Sequence, residues 1–99
     1  MVRHIVAWNF KEGFTPEQNR QNALEVKSRI EGLSNLLDGI IELKVNIDLL
    51  PTGNRDVFLT SLFLSEDVLA AYQVHPDHKR VGEFVGSVLQ DRTCVDYVE

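Results

Sequence analysis

Between residues 40 and 50 the sequence reads "IIELKVNIDLL", and its odd positions Ile41, Leu43, Val45, Ile47 and Leu49 are all apolar. The residues between them, Glu42, Lys44, Asn46 and Asp48, are all polar. Successive side chains of a β-strand point to opposite faces, so this alternation predicts a strand with one apolar and one wet face. Such a strand needs a cover, and the preceding segment supplies one. Ala23, Val26, Ile30, Leu33 and Leu37 are spaced 3, 4, 3 and 4 residues apart, which draws one stripe along an α-helix. Gly39 stands where that helix would end. A helical period that gives way to a strand period predicts a helix laid on a sheet.

The rest of the chain extends the pattern. Residues 2–10 are apolar on both alternating faces, with Val6, Trp8 and Phe10 on one side and Ile5 and Ala7 on the other. That predicts a strand covered on both sides. In "TPEQ", Thr15 suits a helix N-cap, Pro16 the first helical position and Gln18 the return partner of a capping box. "PTGNRD" at 51–56 is a turn by composition, and residues 57–64 form a third strand, again apolar on both faces. Ser65 caps a second helix, with Glu66 and Asp67 near its positive end. Pro76 interrupts that helix, because the residue before a proline is pushed out of α geometry. Helical spacing resumes at Val81, Val85 and Val88, and "TCVDYV" (93–98) is a last short strand.

The order is therefore β-α-β-β-α-β: an α+β, ferredoxin-like arrangement with a four-stranded antiparallel sheet and its helices on one face. Residues 1–99 are expected to form a single domain, since a chain of 99 residues has room for one core. The first and third strands are too apolar for their uncovered face to stay in water. A second copy packing sheet to sheet as a symmetric homodimer is the simplest cover.

Composition removes whole classes of function. The net charge is −5, from 15 acidic and 10 basic side chains, and no basic stripe interrupts it. Nucleic acid is not an expected partner. The one cysteine, Cys94, has no partner for an internal disulfide and makes no cysteine-based zinc site by itself. "MVRHIVAWNF" is too short and too polar for a signal peptide, and no window has the apolar length of a membrane span. The expectation is a cytoplasmic protein without a membrane partner.

One stretch gathers chemistry-bearing residues. "YQVHPDHKRVGEF" places Tyr72, His75 and His78 around the proline, in a chain with only 2 tyrosines and 3 histidines. Tyr72 follows Val68 and Leu69 at helical spacing and should point inward with them. His78 heads the series 78, 81, 85, 88, whose other members are valines, and should also face inward. His75 lies at the break, where its direction is open. Two readings follow. In one, Tyr72 is a core residue whose hydroxyl finds a carbonyl and the histidines are polar staples or caps, a reading that spacing alone favours. In the other, phenol and imidazole meet at a ligand. His4 on the first strand is either a sheet-face or a pocket residue, and Trp8 and Phe10 are further pocket candidates. His75 and His78 with Asp77 between them lack a third fixed ligand, so no metal is expected. No cofactor is expected either, since the chain has no glycine-rich phosphate loop, nucleophile elbow or haem-type ligand.

Taken together, "HIVAWNF", "YQVHPDHKRVGEF" and "VDYV", in that order and at these separations, resemble the stress-responsive A/B barrel (Dabb) family of dimeric α/β barrels. The resemblance spans nearly the whole chain. It implies a ferredoxin-like monomer whose sheet pairs with a second subunit's to close a barrel. One plant branch of the family cyclises a polyketide without a cofactor, using the tyrosine before the motif and its second histidine. Matched residue by residue, these are Tyr72 and His78, and His4 corresponds to a first-strand histidine near the pocket. The residues that the resemblance and the spacing bring forward are thus Tyr72 and His78 as candidate catalytic groups, with His4, Trp8 and His75 as candidate pocket residues. The expected function is a small homodimeric binding protein for a carbonyl or aromatic compound. A cofactor-free cyclase with a histidine base and a tyrosine donor is the alternative, and a cofactor-free monooxygenase is a third.

Overall fold

The computed structural model describes all 99 residues. Its elements are β1 (Val2–Phe10), α1 (Pro16–Glu31), β2 (Ile40–Asn46), β3 (Val57–Phe63), α2 (Glu66–Val74), α3 (Pro76–Val88) and β4 (Leu89–Val98). The four strands form one antiparallel sheet in the order β2-β3-β1-β4, which is the ferredoxin-like β-α-β-β-α-β fold. No helix is long and apolar enough to cross a membrane.

Local chemistry starts the helices where expected. Thr15 accepts from the Gln18 amide at 3.1 Å, and the Gln18 side chain accepts from the Thr15 amide at 2.9 Å, a complete capping box ahead of Pro16. Ser65 accepts from the Val68 amide at the head of α2. At Pro76 the chain splits into two helices. His75, with extended backbone at φ −64° and ψ 135°, closes α2 and opens α3.

Besides β2, which ends at Asn46 and leaves Ile47 and Leu49 beyond the strand, two boundaries differ from the sequence reading. α1 ends at Glu31, capped by Gly32, rather than running on to Gly39. Gly32, Ser34 and Asn35 are weak helix formers, and the Ser34 hydroxyl donates to the Glu31 carbonyl at 2.6 Å, which favours a turn. Leu33 is buried and Leu37 packs against the core regardless, so the apolar stripe continued past the end of the helix. Gly39 instead leads into β2 with φ +94°, and a Cβ there would stand 2.9 Å from Val68 Cγ2. The second difference is β4, which starts at Leu89 rather than Thr93. Helical spacing of the valines hid that boundary. The pairing of β1 with β4 is irregular between Ala7 and Asn9, and Asp91 opposite this irregularity has φ 57°.

The sheet has two distinct faces. Val2, His4, Val6 and Trp8 of β1, and Val57, Leu59, Ser61 and Phe63 of β3, are buried beneath the helices, as are Leu43 and Val45 of β2. Ile41 leaves this pattern because a register shift sits between Ile40 and Glu42, and its side chain is exposed. The opposite face carries Ile5, Ala7, Phe58, Thr60 and Leu62, flanked on β4 by Val95 and Tyr97. At the outer edge of β2, Glu31 accepts from the Val45 amide at 2.9 Å while Lys27 donates to the Val45 carbonyl at 2.7 Å. The helix thereby satisfies an edge-strand pair that would otherwise be free.

Candidate functional site

The kink at Pro76 determines where the site forms. α2 carries Tyr72 down onto the sheet, where its ring is 1% exposed and lies 5.1 Å from the ring of Phe63. α3 leaves at a new angle and brings the His78 ring to 4.4 Å from that of Tyr72. From the sheet side, β1 contributes His4, buried, with its ring edge-on to Phe63 at 6.2 Å. Between them lies a cavity of about 260 Å³ whose lining includes His4, Val6, Trp8, Leu59, Tyr72, His78 and Val85. Eight of the fifteen lining residues are hydrophobic, and His4, His78, Gln90, Asp91 and Arg92 supply polar groups among them, a mixture suited to a small polar molecule.

Each polar group is held in a defined state. The Tyr72 phenol has no hydrogen-bonding partner within the protein, and burial alone pushes its pKa up to about 12, so it stays protonated and able to donate. Burial lowers the His78 pKa below 6.5, against an opposing hydrogen bond to Gln73. His78 Nδ1 lies 3.2 Å from the Gln73 carbonyl. A carbonyl only accepts, so Nδ1 carries the hydrogen and Nε2 keeps the lone pair. His4 Nδ1 pairs with the Asp96 carboxylate across the β1–β4 ladder, where the two residues are direct register partners. The Ser61 hydroxyl donates to the His4 carbonyl at 2.7 Å and fixes that stretch of β1.

Of the residues that the sequence brings forward, Tyr72, His78, His4 and Trp8 all meet at this cavity. His75 does not. Its Nδ1 accepts from the Asp77 amide at 3.0 Å, so the side chain is spent as the N-cap of α3. The proline explains the correction: it breaks the helix one residue after His75, and the restarted helix needs a cap at that position. Phe10 is also absent from the lining. Sequence reasoning missed Gln90, Asp91 and Arg92, which line the cavity from the irregular start of β4, and the pairing of Asp96 with His4. Their signal was weak because β4 was read as beginning only at Thr93.

Residues 2–99 match the stress responsive A/B barrel domain. The chain belongs to that family. Solved structures agree with the fold. A dimeric protein of unknown function with a ferredoxin-like fold from Bacteroides fragilis superposes with a TM-score of 0.89 at 26% identity, over 99% of this chain and 95% of that one. A dimeric ferredoxin-like protein of unknown function from Thermobifida fusca gives 0.81 at 28% identity, over 99% and 90%. A hydroxynitrile lyase from Passiflora edulis gives 0.78 at 19% identity, over 99% and 92%, a likeness of fold. No curated protein matches the sequence. Within this A/B barrel family member, then, the cavity between helices and sheet lies on the face away from Ile5 and Val95.

Proposed function

We propose that this A/B barrel protein binds a small carbonyl compound in the cavity, with the carbonyl oxygen on the Tyr72 hydroxyl and the neighbouring C–H facing His78. One observation carries the reading: a tyrosine buried to 1% exposure that lines the cavity and whose hydroxyl has no partner within the protein. A core tyrosine normally satisfies its hydroxyl with a carbonyl. This one borders the cavity instead, where a ligand acceptor can take its hydrogen. The cavity volume suits a compound smaller than most drug-sized ligands. Arg92, the one Lys or Arg side chain in the lining, would favour compounds that also bear a carboxylate.

A second reading, turnover, is favoured by the state of His78. A neutral imidazole with its lone pair on Nε2 can take a proton from the carbon α to the bound carbonyl, while the phenol stabilises the oxygen that gains charge. No cofactor is needed for that step. The Passiflora edulis lyase illustrates that this fold hosts an enzyme.

The protein is further proposed to act as a homodimer through the open sheet face, in line with the dimeric Bacteroides fragilis and Thermobifida fusca structures. Pairing the open faces leaves the cavity free on the helix side.

The test is a panel of β-keto acids and aromatic ketones, screened by thermal shift and then by calorimetry on the parent, Tyr72→Phe and His78→Ala proteins. Both variants should stay folded; Tyr72→Phe removes a hydroxyl that bonds to nothing in the protein and should alter stability by no more than about 0.5 kcal/mol. A true ligand should lose about tenfold in affinity in Tyr72→Phe, the worth of one hydrogen bond. Equal affinity in all three proteins, or no binder in the panel, would sink the carbonyl reading. Deuterium exchange at the α-carbon, followed by NMR, then separates turnover from binding.

A further inference from the structure

The sheet face that carries the cavity also assembles three different metal-binding donors. His4 and Asp96 are cross-strand partners, and Cys94 precedes Asp96 by two residues, so β-strand alternation puts all three on one face. Cys94 Sγ lies 3.7 Å from His4 Nδ1 and 3.6 Å from Asp96 Oδ1, while Nδ1 and Oδ1 are hydrogen-bonded to each other. The donor atoms lie within 4.8 Å of one another.

These separations can be compared with what an ion demands. Zinc bonds of about 2.3 Å to sulfur and 2.0–2.2 Å to nitrogen or oxygen place a sulfur about 3.5 Å from either lighter donor across a tetrahedral angle. Both sulfur separations already have that length. The nitrogen and oxygen would need to stand about 3.3 Å apart, wider than their hydrogen bond allows. Asp96 can make that adjustment, since its side chain is 41% exposed and a rotation frees the carboxylate. His4 cannot move and need not. It is 3% exposed, packed edge-on against Phe63, and its carbonyl is held by Ser61.

We propose that His4, Cys94 and Asp96 form a site for one divalent transition-metal ion of the zinc class, with solvent completing the coordination. A thiolate and an imidazole together select zinc or cobalt over the hard ions magnesium and calcium, which take oxygen ligands. On binding, the Cys94 thiol releases its proton to solvent. A neutral His4 moves its ring hydrogen from Nδ1 to Nε2, and the carboxylate exchanges that hydrogen bond for the metal. The site shares His4 with the cavity lining but needs neither Tyr72 nor His78, and so does not rest on the carbonyl reading. It escapes a search for repeated cysteines or histidines because its donors are all different and come from opposite ends of the chain.

The experiment is a cobalt(II) titration of the untagged, reduced full chain. One ion per chain should bind, with a near-ultraviolet thiolate-to-cobalt charge-transfer band and visible bands of four-coordinate intensity, and added zinc should erase both. Cys94→Ser should abolish the charge-transfer band, and Asp96→Asn should weaken binding at least tenfold. Both substitutions fall on exposed side chains, so both proteins should stay folded. His78→Ala should bind cobalt like the parent, which separates this site from the carbonyl pocket. Absence of the charge-transfer band in the folded parent, or parent-like binding by Cys94→Ser and Asp96→Asn, would overturn the proposal.

Discussion

At the scale of single residues, the two aromatic rings beside Pro76 differ in what the fold asks of them. Tyr72 is a structural wedge whose hydroxyl has been left over, so its packing and its chemistry are separable by one oxygen atom. His78 is tied to stability through its proton. Unfolded, its imidazole titrates near 6.5; folded, burial lowers that value, with His4 and Arg92 adding to the shift and the Gln73 carbonyl opposing it. Between the two values the unfolded chain takes up a proton that the folded chain refuses. The His78 contribution is therefore complete above pH 6.5, is lost as the pH falls through that window, and levels off below the folded value. We expect His78→Gln to flatten this part of the profile, measured as the urea midpoint of parent and variant from pH 7.5 to 5, where contributions common to both proteins cancel. A parent and variant that lose stability in parallel would show that His78 is not held neutral.

At the scale of elements, caps and turns account for where each segment begins, and one glycine carries an unusual share of the constraint. Gly39 looked like a helix terminator because it follows an apolar stripe at helical spacing. In the fold its left-handed φ of +94° feeds the chain into β2, and its Cα faces Val68 of α2 with no room for a methyl group. Gly39→Ala should destabilise the protein by about 1–3 kcal/mol, combining backbone strain with the displaced valine, as read from the urea midpoint at constant slope. Gly82 and Gly86 of α3 have open space around the added carbon and right-handed backbone, so alanine there should be tolerated. The edge of β2 follows the same logic of local supply. Burial alone would raise the Glu31 pKa, but hydrogen bonds from Lys27 and the Val45 amide outweigh it and hold the carboxyl below its ordinary range.

At the scale of the whole molecule, the sheet is lopsided. One face is sealed by three helices and contains the cavity, while the other presents Ile5, Ala7, Phe58 and Leu62 with Val95 at 52% exposure. Arg3 sits at the end of that face, bound to Glu42 at 2.5 Å and to Glu99 at 2.8 Å, and so marks a polar rim. An apolar centre with a charged rim is the anatomy of a protein interface. Val95→Lys should turn a parent dimer into a monomer in sedimentation velocity without lowering the monomer's own stability, because the side chain is largely exposed within the single chain. A parent that sediments as a monomer at micromolar concentration would refute the paired-sheet assembly.

What the amino-acid sequence settled unaided was the order of elements, the helix starts at Thr15 and Ser65, the break at Pro76 and the inward aim of Tyr72 and His78. All of these follow from periodicity and from chemistry within four or five residues. The tertiary structure alone decided the rest. Pairing of β1 with β4 set Asp96 against His4, 92 residues apart. The restart of α3 consumed His75 as a cap, and the irregular entry to β4 brought Arg92 to the cavity. Whether the Tyr72 hydroxyl would find a carbonyl depended on every neighbour that three elements happen to place around it. Such contacts are fixed by strand register and packing between distant segments, and local pattern carries no record of either.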